Sequence, residues 1–234
     1  MKKALVAGAT GLIGKHLIQE LMESEKYDEI RIISRRKSKF DQEKLVNEYT
    51  IDFDKLEKHK DLLQGIDDVF VCLGTTMKKA KSKKRFMKVD YTYPIVLAKL
   101  SKEVGVKRFL IVTAIQSDRD SRFFYSRVKG KTEEALVLMD LPTLHVFRPS
   151  LLLGKREELR FGEKVSELIG KPLSVLFVGP FEKYKPIKGT YVAKAMCAVA
   201  QEESKGVHIY ESDQIRHLGK ILSNSNRRPQ DGKV

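Results

Sequence analysis

The 234-residue chain has no apolar run long enough to span a bilayer; charge follows every hydrophobic stretch within a few residues. The N-terminus, Met1-Lys2-Lys3-Ala4-Leu5-Val6-Ala7-Gly8, starts like an export signal, but Gly8 cuts the apolar stretch short, so it reads as a first strand. Cysteine is scarce: Cys72 and Cys197 both lie in apolar segments without metal-ligand spacing. Buried free thiols imply a reducing compartment, and the expected location is the cytoplasm. Five histidines (His16, His59, His145, His208 and His217) are scattered without ligand spacing, so no metal site is expected. Internal repeats and low-complexity tracts are also missing. At 41% hydrophobic and 32% charged residues, the composition excludes a disordered chain and fits a globular domain.

What the chain has in excess is positive charge, 45 Lys and Arg against 31 Asp and Glu, or +14. Such a balance favours anionic partners: nucleic acid, an acidic membrane or a phosphate-rich cofactor. Half of the excess sits between Lys78 and Lys88, where seven basic residues (Lys78, Lys79, Lys81, Lys83, Lys84, Arg85, Lys88) meet no acid. Base-stacking aromatics are not interleaved there, Phe86 being the single one, so a specific nucleic-acid partner is not expected. The segment reads as a mobile flap or solvated face, and no membrane partner is expected either.

Short apolar strands alternate with helices along the first two thirds of the chain. Strands are expected at 3–7, 29–33, 49–52, 69–73, 108–113 and 143–147. The helices fall at about 12–24, at 54–64 closed by Gly65, after the basic segment to Gly105 with Pro94 as a kink or new start, and at 125–139. This predicts an α/β fold, a doubly wound parallel sheet of the Rossmann type. One domain is expected over residues 1–222, with 150–222 as a small substrate-side portion holding helices near 162–169, 189–200 and 213–222 and a strand at 207–210. The polar, aperiodic stretch 223–234 reads as a disordered tail.

Directly after the first strand comes Gly8-Ala9-Thr10-Gly11-Leu12-Ile13-Gly14, a G-x-x-G-x-x-G turn opening a helix. Glycines there permit a tight turn, let backbone amides approach a pyrophosphate and seat the helix closely on the sheet. The second strand ends Ile33-Ser34-Arg35-Arg36-Lys37, without the carboxylate that would hold a free ribose 2′-hydroxyl. Arg35 or Arg36 can clamp a 2′-phosphate instead, so the expected cofactor is NADP(H). Asp52 and Phe53 close the third strand where an adenine edge would lie, and Gly74-Thr75-Thr76 the fourth, where a small residue admits the ribose, with Leu73, Gly74 and Thr75 as the expected contacts.

Tyr125 and Lys129 stand four apart in Phe124-Tyr125-Ser126-Arg127-Val128-Lys129-Gly130, on one side of one helix. A neighbouring ammonium favours the phenolate and makes the tyrosine a usable general acid/base.

In this order the glycine turn and the Y-x-x-x-K pair resemble the short-chain dehydrogenases/reductases. Residues 124–133 (FYSRVKGKTE) and 147–157 (FRPSLLLGKRE) are more specific and resemble the atypical branch of the Tat-interacting oxidoreductase-like kind; the likeness runs from Lys3 to about Leu222. The resemblance implies NADP(H), Tyr125 as acid/base, Lys129 on the nicotinamide ribose, and Arg148-Pro149-Ser150 passing close to the nicotinamide. The family's third catalytic member is a Ser or Thr at the end of the fifth strand. Here that strand ends Val112-Thr113-Ala114-Ile115-Gln116-Ser117, and the register of the sugar-epimerase relatives puts Ala114 in its place. Thr113 is the first substitute and Ser117 the second. The expected function is reduction of a small-molecule carbonyl of unknown identity with NADPH. The alternative is a redox sensor or protein-interaction module that holds NADP(H) without turnover: the missing hydroxyl favours it and the Tyr125–Lys129 pair opposes it. A homo-oligomer is compatible with either.

Overall fold

A run of apolar residues buried on both faces must be flanked by strands and covered above and below, and five of the first six strands meet that demand. The computed structural model describes residues 1–40, 42–153 and 179–225. In it β1 (Lys2–Ala7), β2 (Tyr27–Ser34), β3 (Val46–Thr50), β4 (Asp68–Val71), β5 (Arg108–Val112), β6 (Thr143–Arg148) and β9 (Gly206–Glu211) form one parallel sheet in the order β3-β2-β1-β4-β5-β6-β9. A second sheet pairs only β7 (Leu152–Leu153) with β8 (Ile187–Lys188). The strand order turns back at β1 and β4, and in such sheets ligands lie beyond the carboxyl ends at that point.

Alternation along each strand sends neighbouring residues to opposite layers. Ala4, Val6, Ile30, Ile32, Phe70 and Leu110 meet Leu17, Ile18 and Leu21 of α1 (Leu12–Glu23) and Val192, Met196 and Val199 of α6 (Gly189–Val199). Leu5, Ala7, Val69, Val71, Phe109 and Ile111 meet Leu97 and Leu100 of α4 (Tyr93–Glu103) and Leu136 of α5 (Phe124–Val137). Each of the fully buried Leu and Ile side chains contributes about 1.5–3 kcal/mol through burial.

The expected helix over 54–64 is instead a 3-10 segment, Phe53–Leu63, broken at Lys55 and His59. Its buried residues are Phe53, Leu56, Leu62 and Leu63. The basic segment is more ordered than a flap. Two short helices, α2 (Met77–Ala80) and α3 (Lys83–Met87), are capped by the hydroxyls of Thr76 and Ser82 and anchored by buried Ala80 and Phe86. Pro94 marks a true discontinuity. Lacking an N–H, it frees the Asp90 carbonyl, the preceding turn winds as a π-helix over Lys88–Thr92, and that carbonyl shares the Thr132 hydroxyl, 2.8 Å away, with Val128 O at 2.9 Å. The last helix, α7 (Ser212–Ser225), runs past residue 222 into the expected tail. The helix expected at 162–169 and residues 226–234 lie outside the described residues.

At the amino ends of the strands Asp68 is fully buried and accepts from Tyr27 Oη at 2.7 Å and Arg108 at 3.1 Å, tying β2, β4 and β5. Burial, then the Asp68 carboxylate, pushes the Tyr27 phenol far above its ordinary range.

His145 of β6 is 1% exposed, with Nδ1 3.1 Å from Tyr210 Oη, Nε2 3.2 Å from Ser204 Oγ, and its ring stacked on His208. Burial, then the charges of His208 and Arg108, lower it from 6.5 to about 4. The unfolded chain therefore binds more protons between those values, so this contribution is complete above about pH 6.5 and is lost as pH falls toward 4. It amounts to about 3 kcal/mol. Urea unfolding across this window is expected to show that slope in the native protein and a flatter one in His145→Phe; equal slopes would remove His145 as its source.

Candidate active site

The turn between β1 and α1 is shaped by what its glycines lack. Gly8 adopts φ +94°, and a Cβ there would stand 2.6 Å from the Cys72 carbonyl carbon and oxygen. A Cβ on Gly14 would stand 2.2 Å from Gly8 O, so the helix start lies directly on the turn. Gly11, whose N–H closes on Gly8 O at 3.0 Å, precedes α1 and brings no side-chain cap. The N–H groups of the first helical turn and the positive end of the helix are thus left for an anion. Ile13 is in the core, and Leu12 packs against Gly189, so these two residues have only backbone to offer a phosphate. Thr10 is half-buried in the turn. This tight turn, in which a Cβ on Gly8 or Gly14 would collide with backbone, fits a dinucleotide pyrophosphate.

Beyond β2, Arg35 and Arg36 are exposed. The Ser34 hydroxyl, expected to face a cofactor, is turned inward toward the Arg36 carbonyl and Glu48 Oε1. Glu48 also accepts from Ser38 N at 2.8 Å, so this carboxylate holds the backbone of the loop. Asp52 caps the 3-10 segment through Asp54 N. The Phe53 side chain is 4% exposed, its ring 5.4 Å from Tyr93.

After β4 the half-buried residues Leu73, Gly74 and Thr75 lead to a carboxylate that sequence reasoning missed. Asp90, 1% exposed, accepts from Thr75 N at 2.9 Å and pairs with Lys129 Nζ at 2.8 Å. Lys129 is 4% exposed and lies one turn beyond half-buried Tyr125. Phe86 of α3 closes the other side, with ring centroids 5.4 Å from Phe124 and 5.9 Å from Tyr125. The π turn, the end of β4 and the middle of α5 are thus fastened at one buried charge pair.

Four residues expected at the reaction centre face elsewhere. Thr113 Oγ1 donates to Phe147 O at 3.2 Å, and Ser117 Oγ donates to Ala114 O at 2.7 Å. Each hydroxyl has one proton, so neither donates to a substrate carbonyl in this arrangement. Arg148, expected by the nicotinamide, forks onto Glu133 and reaches Glu211 at 3.0 Å, joining β6 to α5 and β9. Ser150 Oγ donates to Lys185 O at 2.6 Å; Pro149, beside it, accepts from Ile115 N through its carbonyl.

Residues 8–139 match the model of a family described as NAD(P)H-binding. The chain belongs to this family. It is 32% identical to Protein HTATIP2 of Rattus norvegicus over 94% of its own length and 90% of that protein. It is 30% identical to Protein FMP52, mitochondrial, of Debaryomyces hansenii over 94% and 99%. Among solved structures it resembles MoeE5 in complex with UDP-glucose and NAD (TM-score 0.68, 17% identity, 95% of this chain and 82% of that one). It also resembles human epimerase family protein SDR39U1 with NADPH (TM-score 0.59, 19% identity, 89% and 74%). The oxidoreductase-like family of the Tat-interacting kind and the Rossmann sheet thus stand as expected. The cytoplasmic location does not: the FMP52 relatives are named mitochondrial. Cys72 and Cys197 are free, and burial pushes both thiols up to about 12. Inert thiols tell nothing of which compartment holds them.

Removing one member of the Asp90–Lys129 pair strands a buried charge. Asp90→Ala is expected to cost about 3–5 kcal/mol in denaturant unfolding, and Asp90→Asn less because it can still accept from Thr75. An alanine variant as stable as the native protein would contradict the pairing.

Proposed function

We propose that the chain is an NADPH-dependent reductase of small carbonyl compounds. The observation that carries this reading is the Lys129 ammonium, held in a buried site by Asp90 one helical turn from Tyr125. A buried ammonium is costly, and one held a helical turn from a tyrosine suits proton transfer in addition to fastening the joint between β4 and α5.

Gly8 to Gly14 would hold the pyrophosphate through backbone N–H groups, and Arg35 and Arg36 would hold the 2′-phosphate. When bound, the reduced nicotinamide supplies a hydride to the carbonyl carbon. Tyr125 gives the proton from Oη to the developing alkoxide, and the Lys129 ammonium stabilises the phenolate left behind. Asp90 keeps that ammonium in place and, through Thr75 N, sets it against the end of β4. Thr113 is left out of the chemistry because its hydroxyl is engaged with Phe147 O at 3.2 Å.

Tyr125→Phe keeps the ring against Phe86 and removes the proton donor. Across a panel of aldehydes and ketones, its turnover with NADPH is expected to fall by roughly two to four orders of magnitude while NADPH binding persists. Thr113→Val is expected to stay within roughly tenfold of the native rate. If the native protein binds NADPH and turns over no member of the panel, the non-catalytic reading replaces this one.

Calorimetry addresses the choice of cofactor. NADPH is expected to bind at least roughly tenfold more tightly than NADH, about 1.4 kcal/mol. Changing Arg35 and Arg36 to Ala is expected to erase that preference and leave NADH binding intact. Equal affinities in the native protein would defeat the assignment of the two arginines.

A further inference from the structure

Six cations, Lys78, Lys79, Lys81, Lys83, Lys84 and Arg85, are exposed on α2, α3 and the turn between them, and no carboxylate occurs from Lys78 to Lys88. The segment is held from below. Ala80 and Phe86 are buried, Thr76 and Ser82 cap the two helices, and Phe86 packs on Phe124 and Tyr125. Lys83 Nζ stands 5.5 Å over the Phe124 ring, which places the start of α5 beside the cations. At that start Phe123 is 77% exposed, and Met77 at the head of α2 is 42% exposed. The surface therefore combines dense positive charge with a projecting aromatic ring.

We infer that α2, α3 and Phe123 form a peripheral docking face for an anionic lipid bilayer. Exposed cations on two ordered helices suit an extended charged surface, whereas a small anion needs donors converging in a sheltered site. Nucleic acid would use the same charge, but base stacking calls for successive aromatics, and this face presents the single ring of Phe123, the segment's own Phe86 being 0% exposed. Phe123 supplies what a bilayer adds to charge, an apolar layer for a ring to enter beneath the headgroups. No described helix is long and apolar enough to cross a membrane, and peripheral docking requires none. The absence of a spanning run, from which no membrane partner was expected, therefore does not bear on this face. The inference is independent of turnover; docking would set Tyr125, which Phe86 touches, near the lipid surface.

The full chain lacks tryptophan, so Phe123→Trp makes a single reporter at an exposed position. The measurements are co-sedimentation with vesicles of phosphatidylcholine alone or with phosphatidylglycerol added, at low and physiological salt, and the emission of the Trp variant on the same vesicles. Binding is expected on the anionic vesicles only, weaker at higher salt, with a blue-shifted emission. Lys81→Glu, Lys83→Glu and Lys84→Glu together are expected to weaken binding by roughly a hundredfold with the melting temperature unchanged. No sedimentation with anionic vesicles at low salt would overturn the inference, and so would equal binding to neutral vesicles. Sedimentation without a blue shift would overturn the role of Phe123. Salt-resistant binding of an RNA or DNA oligonucleotide with no vesicle binding would make the face a nucleic-acid surface instead.

Discussion

A carboxylate and an ammonium placed together away from water must hold each other, and the backbone that bears them must follow. Asp90 and Lys129 lie 2.8 Å apart, 1% and 4% exposed. Neither can leave without exposing the other charge to an apolar interior, which makes the pair a fixed point rather than an adjustable contact. Three neighbours are built around it. Thr75 N binds the second carboxylate oxygen and fixes the exit of β4; the Asp90 carbonyl, freed by Pro94, takes the Thr132 hydroxyl of α5; and the π turn sets the residue's direction. Tyr125 and the glycine turn owe their relation to this joint and to the close seat of Gly14 on Gly8.

The sheet was legible because its central strands are continuous apolar runs and the helices between them keep their own period. The glycine turn was legible for a related reason: three residues without side chains at fixed spacing after a strand have few other uses. What escaped the sequence were polar residues whose meaning depends on a distant partner. Asp90 follows a basic stretch and stands between Val89 and Tyr91, so that a carboxylate amid helical core positions was the available signal; nothing local says that Lys129 answers it. Glu48 sits on β3, and only its reach to Ser38 N shows why the loop of Arg35 and Arg36 needs an acid. The partners of the Thr113 and Ser117 hydroxyls, Phe147 O and Ala114 O, were not legible because spacing gives a position along a strand and not the acceptor a hydroxyl meets.

Two buried carboxylates fasten the sheet at its two ends. Asp68 at the amino ends binds Tyr27 and Arg108, side chains that lock strands together. Asp90 at the carboxyl ends binds the amine that faces the proposed reaction. Arg148 belongs with Asp68 in kind, since Glu133 and Glu211 occupy its guanidinium and draw it into the joint of β6, α5 and β9. The density of charge on α2 and α3 is of another order, exposed and one-signed, and it rests on the same Phe86 that walls Tyr125.

The central claim is that the cradle and the Asp90-held Lys129 serve one dinucleotide. A crystal structure of the chain with NADPH tests it most directly. The account predicts the pyrophosphate on the N–H groups that open α1, the 2′-phosphate between Arg35 and Arg36, and the nicotinamide ribose within hydrogen-bond reach of Lys129 and Tyr125 with the Asp90 pair intact. A dinucleotide bound away from the Gly8–Gly14 turn, or one whose nicotinamide ribose lies beyond the reach of both Lys129 and Tyr125, would contradict it.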